Sequence, residues 1–294
     1  MFVYSIIEKI AEMLPNLPPK QKKLAEYVVA HHKKAAFLTS TALALEAKVS
    51  ESTVIRLSNS LGFKGYGDFQ FELQKIIENE LSSLDRFEVS NFKDDETIFE
   101  AVYAMEVDFI NKTHRTLNQN DFDKAAALFS QKERILCVGM HGSSCLADYM
   151  SYLLTRIRSG ISLVNVINDY TFEKIKNLNE NDLVVFFCFP RYPRDLIKLY
   201  ETIKKTRASV ISITNNLLSP VAEADATLFI PINHVLYNDP YAAVMCTINA
   251  LLTTISKHDP ETTEKNMEKF EEYIDNFNIY LKNDMEIIEE LPKL

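Results

Sequence analysis

Apolar residues in the first quarter of the chain recur at helical spacing. Pro18-Pro19 opens a pattern over residues 20–32 that places Leu24, Tyr27 and Val28 on one side. Proline suits the first turn of a helix, where a missing N–H leaves nothing unpaired. Two shorter patterns follow, at 41–47 and 51–61, separated by a break at Lys48-Val49-Ser50. In the second, Val54, Leu57 and Leu61 fall at i, i+3 and i+7, one apolar stripe. Ser52, Thr53, Arg56, Asn59 and Ser60 are assigned to the other side. Ser50 is expected to cap this helix by accepting an orphan backbone N–H, and Gly62 to supply the left-handed residue beyond its end. An apolar stripe backed by short hydrogen-bonding groups and an arginine suits a helix that reads DNA in the major groove. An ordinary amphipathic pair in a helix bundle has the same periodicity. A further amphipathic helix is expected over 66–80, and the polar, broken stretch 81–95 reads as a linker.

Residues 97–117 and 121–129 restore helical periodicity, the second capped by Asn120 or Asp121. From residue 134 the pattern changes. Nearly all-apolar runs at 134–138, 162–167, 183–187, 210–214 and 227–230 alternate with helical stretches at 144–159, 171–177, 194–206 and 219–224. Strands apolar on both sides, alternating with helices, predict a parallel sheet covered on both faces. A long apolar helix over 241–257 and a charge-rich one over 261–281 complete the pattern. The expected architecture is an all-α helix-turn-helix head at 1–80, a linker at 81–95, an α/β domain at 96–260 and a helical tail at 261–294.

Charge sharpens this division. The 294-residue chain carries a net charge of -9, which argues against a uniformly basic nucleic-acid binder. Residues 1–75, however, hold ten Lys/Arg against seven Asp/Glu, a net of +3, and the rest carries -12. A DNA-contacting head on an acidic body needs its cations only where phosphate is met. Cys137, Cys145, Cys188 and Cys246 form no CxxC or Cys/His cluster, so free thiols in a reducing compartment and no metal are expected. The opening residues lack the basic and small-residue signature of a signal peptide. The longest mostly apolar run, 241–255, is too short to span a bilayer. A cytoplasmic protein with no membrane association is expected.

In open parallel sheets, ligands bind beyond the C-terminal strand ends, which selects four loops. The turn at 139–144 offers His141, Gly142, Ser143 and Ser144 at a helix start, where backbone N–H groups suit an anion. A tight strand-to-helix turn with a serine cap fits the same residues. Asn168-Asp169-Tyr170 is either a polyol contact or a plain turn. Residues 188–195 carry Arg191 and Arg194 among two prolines, able to grip phosphate or carboxylate. The last loop brings Asn215 toward the site and places Ser219 as a helix cap. Catalytic signals are absent: there is no GxSxG, HExxH or phosphate-binding Walker loop. His141, Asp169 and Glu173 are titratable, but their spacing compels no base. No catalytic residue, metal or cofactor is assigned.

The segment VSESTVIRLSNSLGFKGYGDF resembles the recognition helix and following turn of RpiR-type transcription regulators. ILCVGMHGSSCLADY, DLVVFFCF and ASVISITNNLLSPVAEADATLFIP resemble a SIS (sugar isomerase) domain. The resemblance implies a helix-turn-helix head and a SIS sheet. It further implies a double-stranded DNA operator, genes of carbohydrate or amino-sugar catabolism, a phosphosugar-like effector, and assembly as dimers or tetramers. It places Ser50, Glu51, Ser52, Thr53, Arg56 and Asn59 on the DNA-facing helix and Lys64, Gly65 and Tyr66 at the turn that meets the backbone. Ser143 falls on the serine of the first phosphate loop. Three departures stand out. Lys48 occupies a turn position usually glycine, putting a Cβ at a left-handed site while lending an amine reach to phosphate. His141 replaces the second glycine of Gly-x-Gly-x-Ser. Cys188-Phe189-Pro190-Arg191-Tyr192-Pro193 stands where the family has a Ser-x-Ser-Gly-x-Thr cradle, so guanidinium groups replace hydroxyls and a sugar acid fits as well as a phosphosugar. Two alternatives keep the same domains: a constitutive DNA-binding oligomer whose SIS domain only dimerises, and a sugar-phosphate isomerase with a helical appendage.

Overall fold

The computed structural model describes residues 6–77, 97–215, 219–232 and 238–280, with 82, 84, 86 and 217. Most of the 81–95 stretch, residues 78–80 of the expected helix and the end of the tail from 281 lie outside the described residues. The chain forms two compact units, Met1–Ala104 with Asn233–Pro240, and Met105–Ile232 with Tyr241–Leu294.

The first unit is helical: α1 (Ile6–Met13), α2 (Pro19–Ala30), α3 (His32–Ala35), α4 (Ser40–Ala47), α5 (Glu51–Ser60) and α6 (Tyr66–Ile77). Its core gathers Leu24, Val28, Leu43, Val54, Leu57, Leu61, Phe69 and Leu73. The stripe Val54, Leu57 and Leu61 is buried as expected. The α2 pattern stops two residues short of the predicted end, because His31 leaves the helical region (φ -130) before α3 begins. α1, which the sequence reading passed over, contributes Ile6 and Ile10 to this core. Its Lys9 ammonium donates to the Leu61 carbonyl at 2.7 Å, satisfying an orphan acceptor at the end of α5.

The helix α7 (Ile98–Thr116) leads into α8 (Gln119–Gln131). Asn118, not Asn120 or Asp121, caps α8, accepting from the N–H groups of both. Then come β1 (Arg134–Gly139), α9 (Ser144–Ile157), β2 (Ile161–Val164), α10 (Asp169–Ile175), β3 (Asp182–Phe187), α11 (Arg194–Ile203), β4 (Ser209–Thr214), β5 (Ala226–Phe229), α12 (Ala242–His258) and α13 (Pro260–Phe277). All pairings are parallel, in the order β2-β1-β3-β4-β5. β3 is buried at every position because it lies mid-sheet. One face packs beneath α8, α9 and α12 through residues such as Phe129, Met150, Leu154, Ile248 and Leu251. The other packs beneath α10 and α11 through Ile175, Leu196, Leu199, Tyr200 and Ile203. The helix expected at 219–224 is instead a series of turns. Ser219 is correspondingly no helix cap: its buried hydroxyl is paired with Thr214 Oγ1 at 2.7 Å, and because the Thr214 proton goes to the Cys188 carbonyl, Ser219 is the donor. No helix among the described residues is long and apolar enough to cross a membrane.

Candidate functional site

In the head, α4 and α5 meet at Lys48, whose φ of 53° is the left-handed geometry expected at that turn. Gly62 closes the other end of α5 at φ +88°. Lys48, Ser50, Glu51, Ser52, Arg56, Asn59 and Lys64 are exposed. The Arg56 guanidinium donates to Ser52 Oγ at 3.1 Å, so both groups lie on one outward strip. Glu51 is held back toward α4, accepting from Ser40 at 2.6 Å and Thr41 at 3.2 Å.

Two residues assigned to the DNA side do not lie there. Thr53 is 1% exposed and its hydroxyl is paired with Ser50 Oγ at 2.9 Å. It sits on the flank of α5 nearest the core, and threonine is small enough to be buried there. Tyr66 donates its hydroxyl to the Leu38 carbonyl at 2.6 Å, and burial pushes its pKa up. Ser50 does stand at the N-cap, yet its oxygen takes no backbone N–H and meets the Ser52 and Thr53 hydroxyls instead. The outward position that the sequence reading missed is Ile55, 44% exposed between the polar groups.

In the second unit the strand order reverses direction about β1: β2 lies on one side and β3 on the other. A crevice opens at such a switch point because the connections after the two strands leave on opposite faces of the sheet. The turn after β1 is a short 3-10 segment, His141–Ser143, running into α9. Gly139 permits it: a Cβ there would stand 2.4 Å from the Ser143 carbonyl oxygen. His141 takes a left-handed φ of 52°. Its Nε2 lies 3.4 Å from Asp195 Oδ2, joining the turn after β1 to the first turn of α11. Asp195 thus partners His141, a pairing that 54 residues of separation hid from sequence reasoning.

Ser143 is 4% exposed, whereas Ser144 donates to the His141 carbonyl at 2.7 Å, so its hydroxyl braces the turn. The arginine loop is fixed at both ends. Thr214 donates to the Cys188 carbonyl at 2.6 Å, and the Cys188 N–H reaches the Ile213 carbonyl at 3.1 Å. At the far end the Tyr192 hydroxyl donates to Asn215 Oδ1 at 2.6 Å. Asn215 is 5% exposed and braces Tyr192 through that bond, not an open ligand contact. Burial raises the Cys188 thiol to about 12, so it stays protonated at neutral pH. Between these anchors Arg191 is exposed, and Arg194 is exposed just beyond them as the first residue of α11.

Asp169 is the first residue of α10 and exposed, while Asn168 closes a capping box with Thr171. The turn alternative therefore describes that loop, which follows edge strand β2. His141, Gly142, Ser143, Ser144, Arg191, Arg194 and Asn215 all lie on connections after β1, β3 and β4. Among the described residues, no group of three or more His, Cys, Asp and Glu is placed to hold a metal.

Residues 4–80 match the helix-turn-helix domain of the rpiR family, and residues 128–254 match the SIS domain. The HTH-type transcriptional regulator HexR of Escherichia coli (strain K12) is 26% identical over 261 residues, covering 85% of each chain. HexR of Pseudomonas aeruginosa is 24% identical over 221 residues, covering 75% of this chain and 76% of that one. The structure of Vibrio vulnificus NanR complexed with ManNAc-6P aligns over 95% of this chain and all of that one, with a TM-score of 0.57 and 19% identity. The sugar isomerase domain of an RpiR transcription factor from Sphaerobacter thermophilus aligns over 60% of this chain and 99% of that one, with a TM-score of 0.58 and 18% identity. The head built around α4 and α5 and the parallel sheet that follows it in the chain are thus the two domains of one family, and the chain belongs to the RpiR-type transcription regulators.

Proposed function

We propose that this regulator binds a specific double-stranded DNA operator at carbohydrate metabolism genes and is controlled by a small anionic metabolite, a phosphosugar or sugar acid, held in the crevice between the β1 and β3 connections. It acts in the cytoplasm as a homo-oligomer. The observation that carries the effector assignment is the pair Arg191, exposed on a loop pinned by Thr214 and Asn215, and Arg194, exposed at the start of α11 that follows it. Two guanidinium groups on a rigid support lose little entropy when they grip an oxyanion. The start of α9 adds backbone N–H groups at the same switch point. Vibrio vulnificus NanR, solved with ManNAc-6P, supports a guest of the phosphosugar class.

The chain is read as a regulator and not an isomerase. An aldose–ketose isomerase needs a base poised at the carbonyl, and the spacing of His141, Asp169 and Glu173 compels none; the relatives named HexR are transcriptional regulators, which supports the regulator reading. The test is a thermal-shift series over sugar phosphates, sugar acids and amino-sugar phosphates. A true effector at a hundred times its Kd stabilises the protein by about 2.7 kcal/mol. Arg191→Ala should lose that shift and the effector's influence on operator affinity, while binding operator as the parent does. If Arg191→Ala and Arg194→Ala both keep the full response, the effector does not bind in this crevice.

A further inference from the structure

The outward face of α5 carries one side chain that hydrogen bonding does not explain. Thr53, Val54, Leu57 and Ser58 form the buried side of this helix. Ser52 and Asn59 lie opposite them, both exposed. At 3.6 residues per turn, Arg56 projects roughly 50° to one side of the Ser52–Asn59 line and Ile55 roughly 50° to the other. Ile55 is 44% exposed. A lone exposed aliphatic on an ordinary surface needs no explanation. Its place among three groups suited to base edges and phosphates gives this one meaning.

The apolar feature that a base edge presents in the major groove is the C5 methyl of thymine. A β-branched side chain is stiff at χ1, so Ile55 holds its methyl groups in a fixed place with little entropy left to lose on contact. We propose that Ile55 is a specificity-determining residue that buries a thymine methyl, making the regulator prefer thymine at one position in the stretch read by each head. This rests on α5 being the groove-reading helix.

The test uses the full chain. Operators are selected from a random duplex library, and each thymine is then replaced singly by deoxyuridine, which lacks only the methyl group. At one thymine per head, deoxyuridine should weaken the parent by about fourfold, the worth of burying one methyl-sized group. Ile55→Ala should bind the thymine duplex more weakly and show no difference between thymine and deoxyuridine at that position. Ile55→Val should retain most of the difference. A methyl-dependent position that persists in Ile55→Ala, or a selected site with no methyl-dependent position, overturns the proposal. Arg56→Ala separates the two claims. If it weakens binding by about tenfold or more while Ile55→Ala keeps the thymine preference, only the role of Ile55 fails. If both variants bind every duplex as the parent does, α5 is not the reading helix and the proposal falls with it.

Discussion

Tyr66 shows how one hydroxyl can be taken out of an interface. It donates to the Leu38 carbonyl, which also accepts from the Gln70 side-chain amide at 2.8 Å. Removing the hydroxyl therefore leaves that carbonyl with a partner, and the loss should fall at or below the usual value of about 1 kcal/mol for a hydrogen bond. Tyr66→Phe is expected to lower the unfolding free energy of the head by that amount, seen as a lower urea midpoint with an unchanged slope, and to bind operator as the parent does once folded. Weaker operator binding by fully folded Tyr66→Phe would place the phenol on DNA. Thr53 and Tyr66 were misplaced on the DNA side for a common reason. Side-chain type signals the capacity to hydrogen-bond, and only the fold decides whether a neighbouring hydroxyl or carbonyl uses it first. The exposure of Arg56 and Asn59 was legible because long or fully polar side chains are rarely buried unpaired. Asp195 and Tyr192 were not, since their partners His141 and Asn215 lie far away in the chain.

At the scale of elements, the five strands stood out in the sequence because a buried parallel strand must be apolar on both faces. β3, DLVVFF, is fully buried, and no helix amphipathic enough for this surface could be written that way. The turns of 219–224 misled because Ser219-Pro220 imitates a helix start, whereas Ser219 is drawn inward to Thr214. The turn after β1 depends on Gly139 in a way that the motif alone hid, since the glycine's need is for space and not for an unusual φ. A Cβ on residue 139 would lie 2.4 Å from the Ser143 carbonyl oxygen and 3.0 Å from Ala147 Cβ. The first of these neighbours is backbone and can yield only by shifting the 3-10 segment. Gly139→Ala should cost roughly 1–3 kcal/mol of stability, as overpacking does, and abolish the effector's thermal shift. Gly65 has nothing within 4 Å of its Cβ position, so Gly65→Ala should leave stability nearly unchanged. Equal effects of the two substitutions in parallel unfolding curves would show that crowding at Gly139 is unimportant.

At the scale of the whole molecule, a head of net charge +3 holds DNA weakly by itself. Joining two heads turns the second binding event into an intramolecular one and raises affinity without any new contact. The helices at 97–117 and 241–257 both carry apolar faces from which a seam between copies could be built. Their exposure differs. α12 spends Val244, Ile248, Leu251 and Ile255 on its own sheet. α7 buries Phe109 but leaves Phe99, Tyr103 and Val107 at 67%, 62% and 52% exposure, spaced four residues apart. The Phe99 and Tyr103 rings meet with centroids 4.5 Å apart, so the first turn of the row is continuous. A contiguous apolar row on a helix face marks an interaction surface, and a twofold dimer can cover it with its own copy. Periodicity could not reveal this, because an apolar stripe looks the same whether it is covered by its own chain or by another. Light scattering at micromolar concentration should give at least twice the 33.7 kDa of one chain. Val107→Glu, which sets like charges against each other across the seam, should run as a monomer and lose most operator affinity, while each head keeps its fold. A parent that is monomeric, or a Val107→Glu variant that still assembles, would rule out α7 as the seam.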